Sequence, residues 1–182
     1  MIRVLALSGS LQPKSVNAAL LQAAHRVVPD GIEITDAERL DAIPFVDRAG
    51  PDDAPAEAAA FRDAVGAADA LLIASPEYGH SFPGMLKNAL DWLVGSGELS
   101  ALPVALLSAS STGGGGIRGQ MALTQTLLAQ AASIVGGLTV AGAKQKIGPD
   151  GELADERALR RIRELLVALG EAAEEHRAWL EG

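Results

Sequence analysis

Five short apolar runs alternate strictly with five stretches of helical periodicity along this chain, and that alternation limits the folds open to it. Runs at 2–7, 32–36, 70–74, 103–108 and 138–141 read as strands, and patterns at 15–28, 55–67, 83–94, 117–134 and 155–180 read as helices. The runs are Leu-rich or β-branched, as expected of strands in a sheet covered on both faces. A βαβα succession of such strands predicts an α/β fold: a parallel sheet covered by helices on both sides. Five strands suit the order 2-1-3-4-5, whose ligand crevice lies beside strands 1 and 3, where the strand order switches. At 182 residues the chain is long enough for one well-buried domain, expected to span 1–182, and short for two.

Three loops at strand ends carry the chemistry. After the first run comes Ser8-Gly9-Ser10-Leu11-Gln12-Pro13-Lys14-Ser15-Val16-Asn17, then a helical pattern of Leu20, Leu21, Ala24, Val27 and Val28. Strand, hydroxyl-rich turn and helix N-terminus is an arrangement that binds phosphate, because free backbone N–H groups and the helix dipole face the anion. Ser15 or Asn17 alone reads more simply as a helix cap. Three hydroxyls, an amide and a lysine in this one turn favour phosphate.

The third run, Ala70 to Ala74, breaks into Ser75-Pro76-Glu77-Tyr78-Gly79-His80-Ser81-Phe82-Pro83, and Pro83 opens a helix. A planar ring fits such a loop, flanked by Tyr78 and faced by backbone amides. The fourth run leads into Ser108 to Gly116, ending in four glycines that let backbone approach a ligand closely. Ser110, nearest the strand end, is the better binding candidate there; Thr112 to Gly116 reads equally well as a flexible crossover.

Together these segments resemble the NADPH-dependent FMN reductase family, the flavodoxin-like quinone, chromate and azo-dye reductases. Gly9, Ser10, Leu11, Ser15 and Asn17 match the family's phosphate turn. Pro76, Glu77, Tyr78, Ser81, Pro83 and the run Leu86 to Trp92 match its flavin-ring segment. The resemblance covers Ile2 to about Val140 and implies a flavodoxin-like three-layer sandwich binding FMN, with NADPH or NADH as donor. It implies that FMN is held by Ser10, Gln12, Ser15, Val16, Asn17, Pro76, Glu77, Tyr78, Gly79, Ser110 and Gly113. No protein residue is expected to act as acid or base, since the flavin carries hydride chemistry and the fold orients it. Two departures stand out. Gln12 replaces the family's usual Arg, a bidentate phosphate partner, leaving Lys14 to supply charge, and Gly79 replaces a common Asn.

Composition excludes other classes. The chain has no cysteine, hence no disulfide, thiolate metal site or Cys nucleophile, and its three histidines are not spaced for metal ligation. A formal charge of −8 and 3% aromatics argue against a nucleic-acid surface. No run approaches a membrane span, and the first residues enter a strand without a leader, so a soluble cytoplasmic protein is expected. Gly114, Gly116 and Gly119 satisfy GxGxxG, but no acidic residue lies between Glu98 and Asp150 to hold a ribose. Ser8 and Pro13 occupy both glycine positions of a P-loop ending at Lys14-Ser15. Arg118, Lys144 and Lys146 in the acid-free stretch form a candidate landing site for nicotinamide-cofactor phosphates.

The expected activity is hydride transfer from NAD(P)H through bound FMN to a quinone, free flavin or similar small acceptor. The rival is a flavodoxin-type electron carrier, which sandwiches the ring between aromatics of two loops; here only Tyr78 is available. Glu77 is expected to position the ring loop chiefly through its backbone. His80, His25 and His176 read as solvent-facing, and Asp69 as a solvated turn residue. The helix after the ring loop has two apolar edges, one of them Met85, Ala89 and Trp92, more than a single core contact needs. That excess, with the resemblance, predicts a homodimer or homotetramer; cover from the last helix is the alternative for Trp92.

Overall fold

A computed structural model describes residues 1–12, 15–46 and 54–181. Its strands are β1 (Ile2–Ser8), β2 (Ile32–Asp36), β3 (Ala70–Ala74), β4 (Pro103–Ser110) and β5 (Ser133–Ala141). Its helices are α1 (Val16–Val27), α2 (Ala56–Ala67), α3 (Gly84–Asp91), α4 (Ile117–Leu128) and α5 (Glu156–Glu181), with 3-10 turns at Leu40–Ala42 and Ala143–Lys146. The strands form one parallel sheet in the order β2-β1-β3-β4-β5.

Side-chain alternation along each strand divides the core into two layers. Val4, Ala6, Leu72 and Leu107 pack against α1 and α5, whereas Leu5, Leu7, Leu71, Ile73 and Leu106 face α2, α3 and α4. Each fully buried Leu stabilises the fold by roughly 1.5–3 kcal/mol, which is what holds the sheet between its helices.

One boundary differs from the sequence reading. Residues 133–137, expected in the helix of 117–134 and the loop behind it, are the first half of β5. The helix stops at Leu128, Ala131 turns with φ = +61°, and Ser133 donates to the Leu102 carbonyl at 2.9 Å. Ile134 and Val135 continue the helical spacing, yet as β-branched residues they pack better on a pleated surface. Gly136 and Gly137, weak strand formers, hide the strand in the sequence. A Cβ at Gly136 would come 3.2 Å from the tip of the Leu165 side chain, and one at Gly137 would displace the Gln120 amide.

A second difference concerns α3. Trp92 is 6% exposed and Ala89 fully buried; only Met85 of that expected outer edge is half-exposed. The cover is neither a second chain nor α5. It is the segment after the 3-10 turn: Trp92 Nε1 donates to the Pro44 carbonyl at 2.8 Å, and Asn88 Nδ2 reaches the carbonyls of Ile43 at 3.1 Å and Pro44 at 3.0 Å. Val46 N–H in turn donates to Asn88 Oδ1 at 3.1 Å.

The opposite end of the sheet corrects a third expectation. Asp69, whose side chain is 10% exposed, is a hub rather than a solvated turn residue. It accepts from Arg3 N at 2.8 Å, Arg3 Nε and NH2 at 3.1 Å, and Arg177 NH2 at 2.7 Å, tying β1 and α5 to the entry of β3. Burial alone would push its carboxyl pKa up; the hydrogen bonds of the two guanidiniums prevail and hold it near about 2. His176 on α5 is half-buried, its Nε2 sealed from solvent and its ring stacked on Trp179.

Candidate functional site

The loops after β1, β3 and β4 meet at the carboxyl ends of the strands, beside the β1/β3 switch. Two backbone bonds extend the sheet into them: Gly9 N–H donates to Ala74 O at 2.8 Å, and Ser75 N–H to Leu107 O at 2.9 Å. A side chain at Gly9 would be tight, because a Cβ would stand 3.1 Å from Ser75 Oγ and 3.2 Å from the Ala74 carbonyl.

Ser15 is the N-cap of α1, its Oγ accepting from Asn17 N–H at 3.2 Å. Ser10 Oγ accepts from Gln12 N–H at 3.3 Å, curling the turn back on itself. The amides of Leu11 and Val16 have no acceptor among the described residues. Those amides, the Ser10 and Ser15 hydroxyls and the start of a twelve-residue helix make a donor set that fits a phosphate. Lys14 lies outside the described residues.

Asn17 does something else. It is 2% exposed, and both ends of its amide are taken by β4: Ala109 N–H donates to Oδ1 at 2.8 Å and Nδ2 donates to Ala109 O at 3.2 Å. Its side chain pins the phosphate turn to the strand that leads into Ser110. Ser110 Oγ receives Thr112 N–H at 3.2 Å and pairs with Thr112 Oγ1 at 3.0 Å, closing the start of the glycine-rich loop in which Gly113 is exposed.

The ring loop is a two-residue reverse turn. Tyr78 and Ser81 exchange backbone bonds of 2.8 and 3.0 Å around Gly79 at φ = +57° and His80 at φ = +64°. Both central residues are left-handed, the geometry of a type I′ turn, which Gly and Asn both accept. Glycine at 79 therefore keeps the backbone shape that the more common Asn would give. Pro76 is buried, and Tyr78 stands 53% exposed above the loop.

Glu77 acts through its carboxylate as well as its backbone. Oε2 accepts from the Arg118 and Gly119 N–H groups at 3.0 and 3.3 Å, capping α4, while Oε1 lies 3.8 Å from the Arg118 guanidinium. Arg118 NH1 is also 3.3 Å from His80 Nε2. The approach is close enough to require glycine: a Cβ at Gly119 would lie 2.9 Å from Ser81 O, and one at Gly116 2.0 Å from Ser108 Oγ. That requirement accounts for two glycines of the false GxGxxG match. Of the remaining cations in the acid-free stretch, Lys146 turns to Asp155 at 3.4 Å.

The three loops thus bring together donors that fit an anion, one exposed aromatic and hydrogen bonds that tie them to the sheet and to α4. No aromatic stands on the loop after β4, so a planar ring stacked near Tyr78 keeps a face open.

Comparison with known proteins agrees with this geometry. The sequence pattern of the NADPH-dependent FMN reductase family matches residues 2–146. A NAD(P)H-dependent FMN reductase of Pseudomonas aeruginosa is 37% identical over 177 residues, covering 92% of this chain and 93% of that protein. A NAD(P)H:quinone oxidoreductase of Solanum tuberosum is 34% identical over 176 residues, covering 92% and 91%. In structure, the flavoenzyme NAD(P)H:(acceptor) oxidoreductase FerB of Paracoccus denitrificans superposes with a TM-score of 0.81 at 24% identity, over 97% of this chain and 99% of that one. With its strand order and its match to the family along most of its length, this chain belongs to the NADPH-dependent FMN reductase family of FMN-dependent NAD(P)H oxidoreductases.

Proposed function

We propose that this chain reduces a quinone, free flavin or similar small acceptor with NAD(P)H in two half-reactions that share one open face of the cofactor. The observation that carries this reading is the asymmetry of the cleft, with Tyr78 on the loop after β3 and only small residues, Ser110 to Gly116, on the loop after β4. Donor and acceptor then occupy one place in turn, a ping-pong cycle. A flavodoxin-type carrier closes the ring between two aromatics, which this cleft lacks.

When bound, FMN supplies the hydride chemistry. The chain's own residues bind and orient. The amides and hydroxyls of Ser10 to Val16 hold the phosphate, with Gln12 in reach of the turn. Asn17 fixes that turn against β4 without touching the anion. Pro76, Tyr78 and Gly79 shape the ring loop, and Glu77 fixes it to α4. Arg118, 62% exposed beside the loop, meets the phosphates of the incoming nicotinamide cofactor.

The acting unit is a homodimer or larger homo-oligomer. Ile117, Met121 and Leu128 are 44, 59 and 55% exposed on one side of α4. Beside them a groove of about 540 Å³ runs between Phe82 and Lys87, before and on α3, and Ala122 and Ala129, on and just after α4. An exposed apolar row of this kind next to a ligand cleft fits a second copy better than solvent. Among the described residues no helix is long and apolar enough to cross a membrane, in keeping with a cytoplasmic enzyme.

The test is the visible spectrum of the purified protein before and after anaerobic NADPH. Yellow protein that bleaches, then recovers on adding a benzoquinone, is the expected result. Yellow protein inert to NADPH and NADH overturns the enzyme in favour of the carrier. Separately, Met121→Arg is expected to halve the mass in sedimentation equilibrium, and an unchanged mass removes the α4 contact.

A further inference from the structure

A groove opens beside the start of α1. It holds about 400 Å³ between Ser15, Val16, Ala18 and Gln22 on one wall and Gly148 and Asp150 on the other. That volume lies within the range of about 300–1,000 Å³ usual for small-molecule sites. The groove shares Ser15 and Val16 with the phosphate turn, so the two are continuous. Helices α1 and α5 cover one face of the sheet, and α3 and α4 cover the other. A flavin whose ring lies by Tyr78, on the α3 and α4 side, therefore sends its phosphate toward the α1 side, where the groove begins.

The far wall is a tight hairpin. Gly148 N–H donates to Glu152 O at 2.8 Å, Gly151 N–H donates to Gly148 O at 3.0 Å, and Ile147 bridges to Leu153. Arg26 ties this hairpin to α1 through the Glu152 carboxylate and the Leu153 carbonyl. Asp150 spends one carboxylate oxygen on the turn, Oδ1 accepting from Glu152 N–H at 3.0 Å. Among the described residues its Oδ2 has no partner, and neither end of the Gln22 amide has one. Ser15, Ala18 and Gln22 follow at steps of three and four and so line one ridge of the helix. Gln22 stands about 10 Å beyond Ser15 at 1.5 Å per residue, the reach of a ribose and a base.

We propose that this groove takes the adenylate half of FAD, so that the chain accepts FAD as well as FMN on one phosphate turn. A carboxylate accepts strong, charge-assisted hydrogen bonds from ribose hydroxyls. A glutamine amide, with donor and acceptor side by side, matches the N6 and N7 edge of adenine. The free Asp150 oxygen and the free Gln22 amide are those two groups, set past the turn that holds the flavin's own phosphate. The charge of Asp150 also selects among adenylates. It suits a ribose with free hydroxyls and repels one that carries a 2′-phosphate, so the groove does not serve that end of NADPH. The assignment rests on FMN binding at the turn and carries the same site one nucleotide further.

Equilibrium dialysis of the purified protein against equal concentrations of FMN and FAD tests this, with the bound flavins separated by chromatography. Wild type is expected to hold both. The bound FAD-to-FMN ratio should fall about fivefold in Gln22→Ala and at least about tenfold in Asp150→Ala, while FMN affinity stays unchanged. Gln22 is exposed on its helix, so circular dichroism of Gln22→Ala should match wild type. Wild type that binds FMN and excludes FAD overturns the proposal and leaves the FMN reductase standing. Protein that binds neither flavin overturns both. A wild-type ratio in the two variants also overturns it. Binding of NAD⁺ to FMN-loaded protein that is lost in Asp150→Ala overturns it too, since the groove then belongs to the nicotinamide dinucleotide.

Discussion

Asn17 and Ala109, 92 residues apart, are joined by both ends of one side-chain amide, at 2.8 and 3.2 Å, inside the core. That pairing makes the phosphate turn part of the sheet's fabric. It also separates two residues that share a motif, since Ser15 caps α1 at the surface while Asn17 holds β4 from within.

The two should therefore fail differently. Ser15→Ala removes a cap, worth about 1 kcal/mol of stability, and is expected to weaken FMN binding. Asn17→Ala leaves the Ala109 N–H and carbonyl buried without partners, at about 1–3 kcal/mol for each group. Urea melts of the apoprotein should show the larger loss for Asn17→Ala. Equal midpoints for the two variants would show that the Asn17 amide is not a structural tie.

Acid should unfold the protein partly through Asp69. Its folded pKa is about 2, below the ordinary 3.8, so the unfolded carboxyl takes up a proton first. The stabilisation is complete above about pH 4 and is lost as pH falls toward about 2, because protonation then favours the unfolded chain. A shift of this size corresponds to at most about 2.5 kcal/mol, less whatever solvent screens at the exposed end of Arg3. Asp69→Asn should flatten stability between about pH 4 and pH 2 relative to wild type, measured by urea titration at each pH. Parallel pH profiles would remove Asp69 from the account of acid sensitivity.

Glu77→Ala should loosen the ring loop from α4. It strips two amides of an acceptor that carries charge, bonds worth about 1.5–3 kcal/mol each at most and screened here by partial exposure. FMN affinity, followed by quenching of flavin fluorescence, should fall, with Glu77→Gln recovering part of the loss by keeping one oxygen. Wild-type affinity in Glu77→Ala would mean the carboxylate does not shape the cleft.

His80 offers a test of backbone strain. A non-glycine residue at φ = +64° costs about 1–2 kcal/mol relative to glycine, least for Asn and most for β-branched residues. His80→Asn should match or exceed wild type in thermal stability, and His80→Val should fall below both. The reverse order would show that the Arg118 contact, not the turn, sets the residue at this position.

The sheet order and the three loops were legible because they rest on local pattern: run length, period and the turn residues between them. What escaped was fixed by partners far along the chain. Trp92 looks exposed from its own helix, and its indole N–H is bound by Pro44, 48 residues earlier in an aperiodic segment. Asp69 resembles any turn acid until Arg3 and Arg177 converge on it from 66 and 108 residues away. The opening of β5 hid behind two glycines, which face Leu165 and Gln120 on other helices. Within the site the same holds for Glu77, whose carboxylate finds its donors 41 and 42 residues later, at the start of α4.

The hub at Asp69 also sets an order of events during synthesis. Arg3 and Asp69 are made early and can meet as soon as β1 and β3 pair, but Arg177, which also donates to the Met1 carbonyl at 3.1 Å, is made 108 residues after Asp69. Until then the α1 face of the sheet waits for Ile162, Leu166, Leu169 and Ala173, all buried in the finished fold. A nascent chain halted in that interval would carry all three cofactor loops on a sheet whose inner face is covered by α1 alone.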